Sequence, residues 1–296
     1  MTMTTTFTTL HDAAATLVPP MQVHEFDCPV HGKQVYNTYM RNGAFAAPHC
    51  PICRKLKAEE RAIVVAVKDD AERTYRSLQN LFGESLGGDL SLRDKTFARF
   101  TTSRSPYVTK ARDLCRRFAD RFLIREVEKE RLREAGNPDW RKKNALGICL
   151  QGDCGVGKSF LANCILNRLT EIGTPGYFVS CPSLMQAIFD LPFGDKSRAV
   201  ALLCHTSCLV LDDVGAQSWK PSEQQLLFQI IEGRVNQGRP IIATTNLRWP
   251  QLESCLTPRT AQRLTASTLA IDAFGWPNIR MQACKTLTLD SSEDLF

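Results

Sequence analysis

The sequence predicts an α/β fold, a parallel sheet flanked by helices, preceded by a small metal-binding module and a helical linker. Three observations predict it. Short apolar runs at 146–150, 177–180, 208–211, 240–244 and 268–272 alternate with helical patterns over about 158–171, 182–191 and 221–236; runs that are apolar without alternation suit strands covered on both faces. Directly after the first run, Gly152–Ser159 reads GDCGVGKS, a full G-x-x-x-x-G-K-[ST] match between a strand pattern and a helical one. Near the amino end, Cys28-x2-His31 and Cys50-x2-Cys53 form two ligand pairs 18 residues apart, the spacing of a zinc ribbon or knuckle.

Composition bounds the rest. The chain has 296 residues, 43% hydrophobic and 23% charged, which is ordinary for one large globular domain or two modest ones. It excludes a wholly disordered or collagen-like chain. The longest notable apolar run, Ala62–Val67, is far short of the roughly 18 residues that suggest a membrane span. The first twenty residues are Thr-rich without Lys or Arg, so a basic signal-peptide start is missing and a cytoplasmic protein is expected. The twelve cysteines are then expected to be reduced. Cys149, Cys164, Cys181 and Cys208, set among apolar residues, read as small buried hydrophobes. The net charge of +6 is concentrated in residues 54–143, with 23 Lys+Arg against 15 Asp+Glu. This suits nucleic acid, and equally suits solvated helix faces.

In chain order, residues 1–20, ending in Pro19-Pro20, read as a flexible tail. Residues 21–57 read as the zinc-binding module and 58–90 as a helical linker. From Lys55 to about Phe82, Ile63, Val67, Ala71, Leu78 and Phe82 recur at spacings of four and seven. Gly83, Gly87 and Gly88 then break the pattern. Residues 91–290 form the main domain and 291–296 a tail. A helix from about Val108 to Ala135 carries the stripe Ala111, Leu114, Cys115, Phe118 and Phe122, and Gly136-Asn137-Pro138 ends it.

The glycines of Gly152, Asp153, Cys154, Gly155, Val156, Gly157, Lys158 and Ser159 let the backbone N–H groups turn inward on phosphate oxygens. The helix that starts there, with Phe160 in its first turn, adds partial positive charge. Lys158 neutralises the outer phosphates, and the Ser159 hydroxyl is a Mg²⁺ ligand. Such a loop binds a nucleoside triphosphate, with ATP and Mg²⁺ expected. The run Cys208–Leu211 ends in Asp212 and Asp213, two acids at a strand's carboxyl end, where ligands gather in open α/β sheets. Asp212 is expected to hold Mg²⁺ and Asp213 to polarise the attacking water. Ile241–Thr245 ends in Asn246, expected on the next strand and aimed at that water.

Cys28, His31, Cys50 and Cys53 supply four ligands, a closed tetrahedral Zn²⁺ shell with a structural role. His24 and His49 stand as substitute ligands. Lys33, Arg41, Arg54, Lys55 and Lys57 rim the module, which leaves protein docking and nucleic-acid binding both open.

Taken together, GDCGVGKS, CLVLDDVG, IIATTN, PRTAQRL (258–264), Trp276-Pro277-Asn278-Ile279-Arg280 and RDKTFARF (93–100) resemble an AAA+ P-loop ATPase. More narrowly they resemble the DnaC/IstB family of helicase loaders and transposition helpers, over roughly residues 91–290. The resemblance implies slow ATP hydrolysis stimulated by a partner or DNA, and self-association through shared ATP sites. Arg263 is implied as the arginine finger reaching a neighbouring subunit's ATP, with Arg259 as the alternative. Arg280 is implied as the second sensor, reaching its own γ-phosphate. Phe97 and Phe100 are implied near the base. The implied partners are a hexameric replicative helicase, docked by the amino-terminal region, and single-stranded DNA. The alternatives are a transposition helper working with a transposase, or a nucleotide-gated adaptor with little turnover. Two positions depart from the pattern: Asp213 stands where many AAA+ proteins carry Glu, and Ile279 where relatives often show Tyr. Trp219 and Lys220 fall where such ATPases present a loop to the ring channel, and read either as that loop or as an exposed connector.

Overall fold

A computed structural model of the chain describes residues 21–39, 45, 49–83, 94–100, 105–141, 146–216 and 219–278. Two compact units divide it, residues 1–62 and 63–296. The expected tails, Arg41 and Arg280 lie outside the described residues.

The first unit is an antiparallel hairpin of β1 (Met21–Cys28) and β2 (Gly32–Tyr39), followed by the start of helix α1 (Pro51–Phe82). Cys28 pairs with Gly32 across a three-residue turn, and Gly32 takes φ +66°, which a side chain resists. His24 and Tyr36 are register partners whose rings stack at 5.6 Å. The hairpin carries no helical periodicity, but its short strands leave Met21, Val23, Val35 and Tyr39 exposed, so no clear alternation marked them. Helix α1 begins four residues before the expected Lys55. Pro51 suits a first helical position because its missing N–H would have no partner there. The helix ends at Gly83 (φ +71°), whose N–H closes on the Gln79 carbonyl.

The second unit is built on a five-stranded, all-parallel sheet. Its strands are β3 (Gly147–Gln151), β4 (Tyr177–Ser180), β5 (Leu209–Asp212), β6 (Ile241–Thr245) and β7 (Thr268–Asp272), in the spatial order β4-β5-β6-β3-β7. The three inner strands are buried at every position, as the unbroken apolar runs require. Three of the expected strands are displaced by one residue toward their carboxyl ends. The polar terminal residues Gln151, Asp212 and Thr245 continue the ladder although they do not continue the apolar run.

On one face of the sheet, Ile148, Leu150, Val210 and Ile242 pack against helices α2 (Pro106–Asp120) and α4 (Lys158–Glu171). On the other, Cys149, Val179, Leu209, Leu211, Ile241 and Ala243 pack against α5 (Cys181–Asp190), α6 (Phe193–His205), α7 (Pro221–Asn236), α8 (Trp249–Cys255) and α9 (Pro258–Ser267). Leu78 of α1 joins this second face, with Tyr75 ring-to-ring on Tyr177. Cys149, Cys164, Cys181 and Cys208 are buried, and burial pushes the Cys149, Cys164 and Cys208 thiols up to about 12.

Two expectations are corrected. The single helix from about Val108 to Ala135 is two, α2 and α3 (Phe122–Glu134), separated at Arg121 (φ −91°, ψ −2°). The apolar stripe crosses the break, with Phe118 and Phe122 both buried, so periodicity alone did not mark it. Trp219 is no exposed connector: its indole is half-buried against the core, while Lys220 is exposed at the start of α7. No described helix is long and apolar enough to cross a membrane.

Candidate functional site

The carboxyl ends of β3, β5 and β6 bring together Lys158, Ser159, Asp212, Asp213 and Asn246. After β3 the chain turns through residues 152–157 into α4. Gly152 lies so close to the backbone of Ala273 that a Cβ there would sit 2.5 Å from its carbonyl carbon. Gly157 caps α4 at φ +97°, a left-handed conformation open mainly to glycine. The loop so constrained opens onto the amino end of α4, where an anion is stabilised.

Lys158, only 5% exposed, donates to the carbonyls of Gly152 (2.7 Å) and Asp153 (2.8 Å) and to Asn246 Oδ1 (2.6 Å). Burial lowers its pKa, opposed by Cys154, Asp213, Asp212 and Asp153. Asp212 accepts from Thr244 Oγ1 at 2.6 Å, and the Ser159 side chain is near enough to lower its pKa. Burial raises its pKa, and the bonds to Thr244 and Ser159 hold the rise back. A carboxylate and a neighbouring hydroxyl offer hard oxygens of the kind that grip Mg²⁺ beside phosphates. Asp213 sits at φ +56°, the only described non-glycine residue in the left-handed region, with its amide donating to Thr244 Oγ1 at 3.0 Å.

Around the loop, Phe160 meets Phe100 at 5.5 Å, and Phe97 and Trp276 pack on the same cluster. Asn278 Nδ2 donates to the Cys154 carbonyl at 3.1 Å, and the Gly275 amide to Asp153 Oδ2 at 3.3 Å. The segment entering the Arg280 motif therefore lies against the phosphate loop. Neither Thr244 nor Asn278 was assigned a role from sequence.

Arg263 and Arg259 are exposed on α9. Arg263 pairs with Glu232 of α7 (Nε–Oε2 2.7 Å, Nη2–Oε1 3.1 Å), and Arg259 lies over the Phe228 ring at 4.7 Å. Their recorded partners are thus on α7, not on the chain's own phosphate loop.

In the first unit, the ligand atoms of Cys28, His31, Cys50 and Cys53 lie within 4.8 Å of one another. Cys28 closes β1, His31 ends the turn, and Cys50 and Cys53 straddle the start of α1. Sulfur to His31 Nδ1 is 3.6 Å from Cys28, 3.6 Å from Cys50 and 3.3 Å from Cys53, and Cys28 to Cys53 is 3.7 Å. A tetrahedron with Zn–S of about 2.3 Å and Zn–N of about 2.0 Å has S···S edges of about 3.8 Å and S···N edges of about 3.5 Å. The four residues therefore fit a tetrahedral ion. Backbone hydrogen bonding, chiefly from Val30, lowers the Cys28 thiol to about 6, toward the thiolate that a metal needs, while burial and the neighbouring Cys28 and Cys50 push Cys53 up to about 11. His24 and His49 are used elsewhere: His24 bonds Thr38, and both rings pack on Tyr36. Beside the cluster, a groove is lined by Phe26, Pro29, Val30 and Ala58 and rimmed by Arg54, Lys57 and Arg61.

Comparison with known proteins agrees with this geometry. Residues 90–269 match the model of the family described as IstB-like ATP binding protein. The uncharacterised protein YdaV of Escherichia coli K12 is 32% identical over 137 residues, 45% of this chain and 54% of that protein. The replicative helicase loader DnaC of the same strain is 25% identical over 140 residues, 46% of this chain and 57% of that protein. The chain thus spans about half the length of the curated relatives it matches. Among solved structures, DnaI superposes with a TM-score of 0.51 at 22% identity, over 64% of this chain and 93% of that one, a likeness of fold. With the family model covering more than half of its length, and its phosphate loop, acidic strand end and Asn-terminated strand in place, this chain belongs to the IstB-like ATP binding protein family.

Proposed function

We propose that this protein is an ATP-dependent loader of a replicative helicase, binding the helicase through its amino-terminal region and single-stranded DNA through its AAA+ domain. The observation that carries the nucleotide half is the convergence of Lys158, Ser159, Asp212 and Asn246 at three neighbouring strand ends. Residues 152–159 would cradle the triphosphate, with Phe160 and Phe100 on the flanking wall. Lys158 would exchange its bond to Asn246 for the outer phosphates. Ser159 and Asp212 would hold Mg²⁺, which supplies charge neutralisation on the phosphoryl oxygens. Asp213 would polarise the attacking water and Asn246 orient it. Asp213 is one methylene shorter than Glu and suits slow turnover, as in a switch.

Arg263 would act on ATP bound to a neighbouring copy, leaving Glu232 to do so, and Arg280 would contact its own γ-phosphate. A planar guanidinium suits both roles, since it spreads its charge over phosphoryl oxygens. ATP between subunits would favour the assembled, DNA-gripping state and hydrolysis would release the partner, because only a ligand with different affinity for two states drives such a cycle. Zn²⁺ on Cys28, His31, Cys50 and Cys53 would hold the first unit together, and its apolar, basic-rimmed groove supports protein docking.

The test mixes the full chain with the host replicative helicase, with and without ATP, and reads mass after size exclusion. A co-complex that Cys28→Ser weakens supports the loader and its docking unit. No complex under any nucleotide condition overturns it. The second reading, a transposition helper that delivers a transposase to DNA, is favoured by the likeness to an insertion-sequence ATP-binding protein of Bacillus thuringiensis, 27% identical over 139 residues, and a transposase is then the bait. Negligible turnover with DNA and partner present would instead support a nucleotide-gated adaptor.

A further inference from the structure

Thr244 occupies the fourth position of β6, fully buried in a strand whose preceding residues are apolar. Packing alone would be served by valine, which has the same shape. The hydroxyl is fully used instead: it donates to Asp212 Oδ1 at 2.6 Å and accepts from the Asp213 amide at 3.0 Å. One hydroxyl carries one proton and two lone pairs, so both bonds exist together. The same stretch of β6 grips the next residue as well. The Val214 amide donates to the Thr244 carbonyl at 2.8 Å, and Thr245 Oγ1 donates to the Val214 carbonyl at 2.6 Å. The chain leaving β5 is thereby stitched to β6 at the point where Asp213 turns through φ +56°. That conformation strains a residue with a Cβ and persists where neighbours over-determine it.

We infer that Thr244 is a positioning residue whose single hydroxyl aims both acids, fixing the Asp212 carboxylate toward the Ser159 side of the site and pinning the left-handed backbone that directs Asp213. The inference rests on the Mg²⁺–ATP reading above. Neither acid can be re-aimed independently: a hydroxyl rotated away from Asp212 also misdirects the lone pair that holds the Asp213 amide. Thr244 is fully buried with its hydroxyl engaged by both aspartates, and it acts through them.

The test uses the full chain and compares Thr244→Val, which keeps the shape and removes both bonds, with Thr244→Ser, which keeps the hydroxyl. A fluorescent ATP analogue is titrated in EDTA and again across a Mg²⁺ series, and turnover is measured alongside. For Thr244→Val, affinity in EDTA should stay within about twofold, while the Mg²⁺ midpoint rises and kcat falls by about 10–100-fold, the range for residues that orient metal ligands. KM should change little, and Thr244→Ser should restore both to within about threefold. A Thr244→Val chain with the wild-type Mg²⁺ midpoint and kcat overturns the inference. So does a serine variant as damaged as the valine one, or a valine variant that has lost affinity in EDTA, since either marks a packing role. A wild-type chain whose nucleotide binding is indifferent to Mg²⁺ overturns the underlying reading instead, and that result is visible before any variant is compared.

Discussion

Lys158 Nζ and Asn246 Oδ1 stand 2.6 Å apart, joining the phosphate loop after β3 to the end of β6 across 88 positions of sequence. The bond satisfies the lysine with neutral oxygens only, the other two being the carbonyls of Gly152 and Asp153. A triphosphate offers charged oxygens to the same donor, and charge-assisted bonds are about twice as strong. Binding is thus expected to transfer the ammonium from Asn246 to phosphate and free the amide to meet water.

Lys158→Ala and Asn246→Ala should therefore separate. The first should weaken ATP by about 100-fold or more, since a buried charged hydrogen-bond donor is lost. The second should leave affinity within about threefold and lower turnover by about 100-fold, as loss of one oriented polar group does. A fluorescent-nucleotide titration beside a phosphate-release assay checks both. Unchanged affinity in Lys158→Ala would falsify the phosphate-loop assignment.

Arg263→Ala should spare nucleotide binding and fold stability while removing most turnover. Its pair with Glu232 is half-exposed, and such pairs contribute about 1 kcal/mol or less, so the melting temperature should move by only a few degrees. Mixing Arg263→Ala with Lys158→Ala chains should recover part of the activity, because one supplies the site and the other the arginine. A mixture no more active than its parts counts against a site shared between copies.

How much was legible follows from what each feature depends on. The inner strands and α4 were readable because burial on both faces forces long apolar runs, and the phosphate loop because its glycines answer to local backbone geometry. Cys28, His31, Cys50 and Cys53 were readable as ligand pairs, since each pair sits on one turn. The hairpin that carries the first pair was not, because two strands with little core to cover need no alternation. Thr244 escaped notice for another reason: its role exists only when β5 and β6 lie side by side, and a threonine in a strand is unremarkable by itself. The pairing of Arg263 with Glu232 is likewise a property of two helices meeting, and 31 positions of sequence hide it.

Elemental analysis should find one Zn²⁺ per chain, and Cys50→Ser should reduce it by more than half. Among its described residues the first unit buries Cys28, Cys50 and His24, too little for a stable core, so metal binding is there folding free energy. A strong chelator should accordingly melt the hairpin signals while the sheet of the second unit keeps its amide protection, read by hydrogen exchange. A metal-free chain with the same hairpin protection would remove the structural role.

Asp212→Asn should make the free protein more stable and the Mg²⁺-linked function worse. Burial raises the Asp212 pKa above its ordinary value, with the hydrogen bonds from Thr244 and Ser159 and the nearby Lys158 only partly offsetting it. A carboxyl with a higher pKa folded than unfolded binds more protons in the native state across the interval between the two values. Stability therefore falls as pH rises through that interval, and the whole penalty is present above the folded pKa. Asparagine keeps an oxygen for the Thr244 hydroxyl and carries no charge to desolvate, so the variant should melt higher than the wild type at pH 7.5. The gain should shrink as pH drops toward the unfolded carboxyl value of about 4, where the wild-type group is already protonated in both states. Thermal melts across pH, paired with Mg²⁺ titrations of nucleotide binding, check the two halves together. A variant that loses stability at every pH would mean that the Ser159 and Thr244 bonds outweigh burial, and that Asp212 is held charged for the fold's sake and not at its expense.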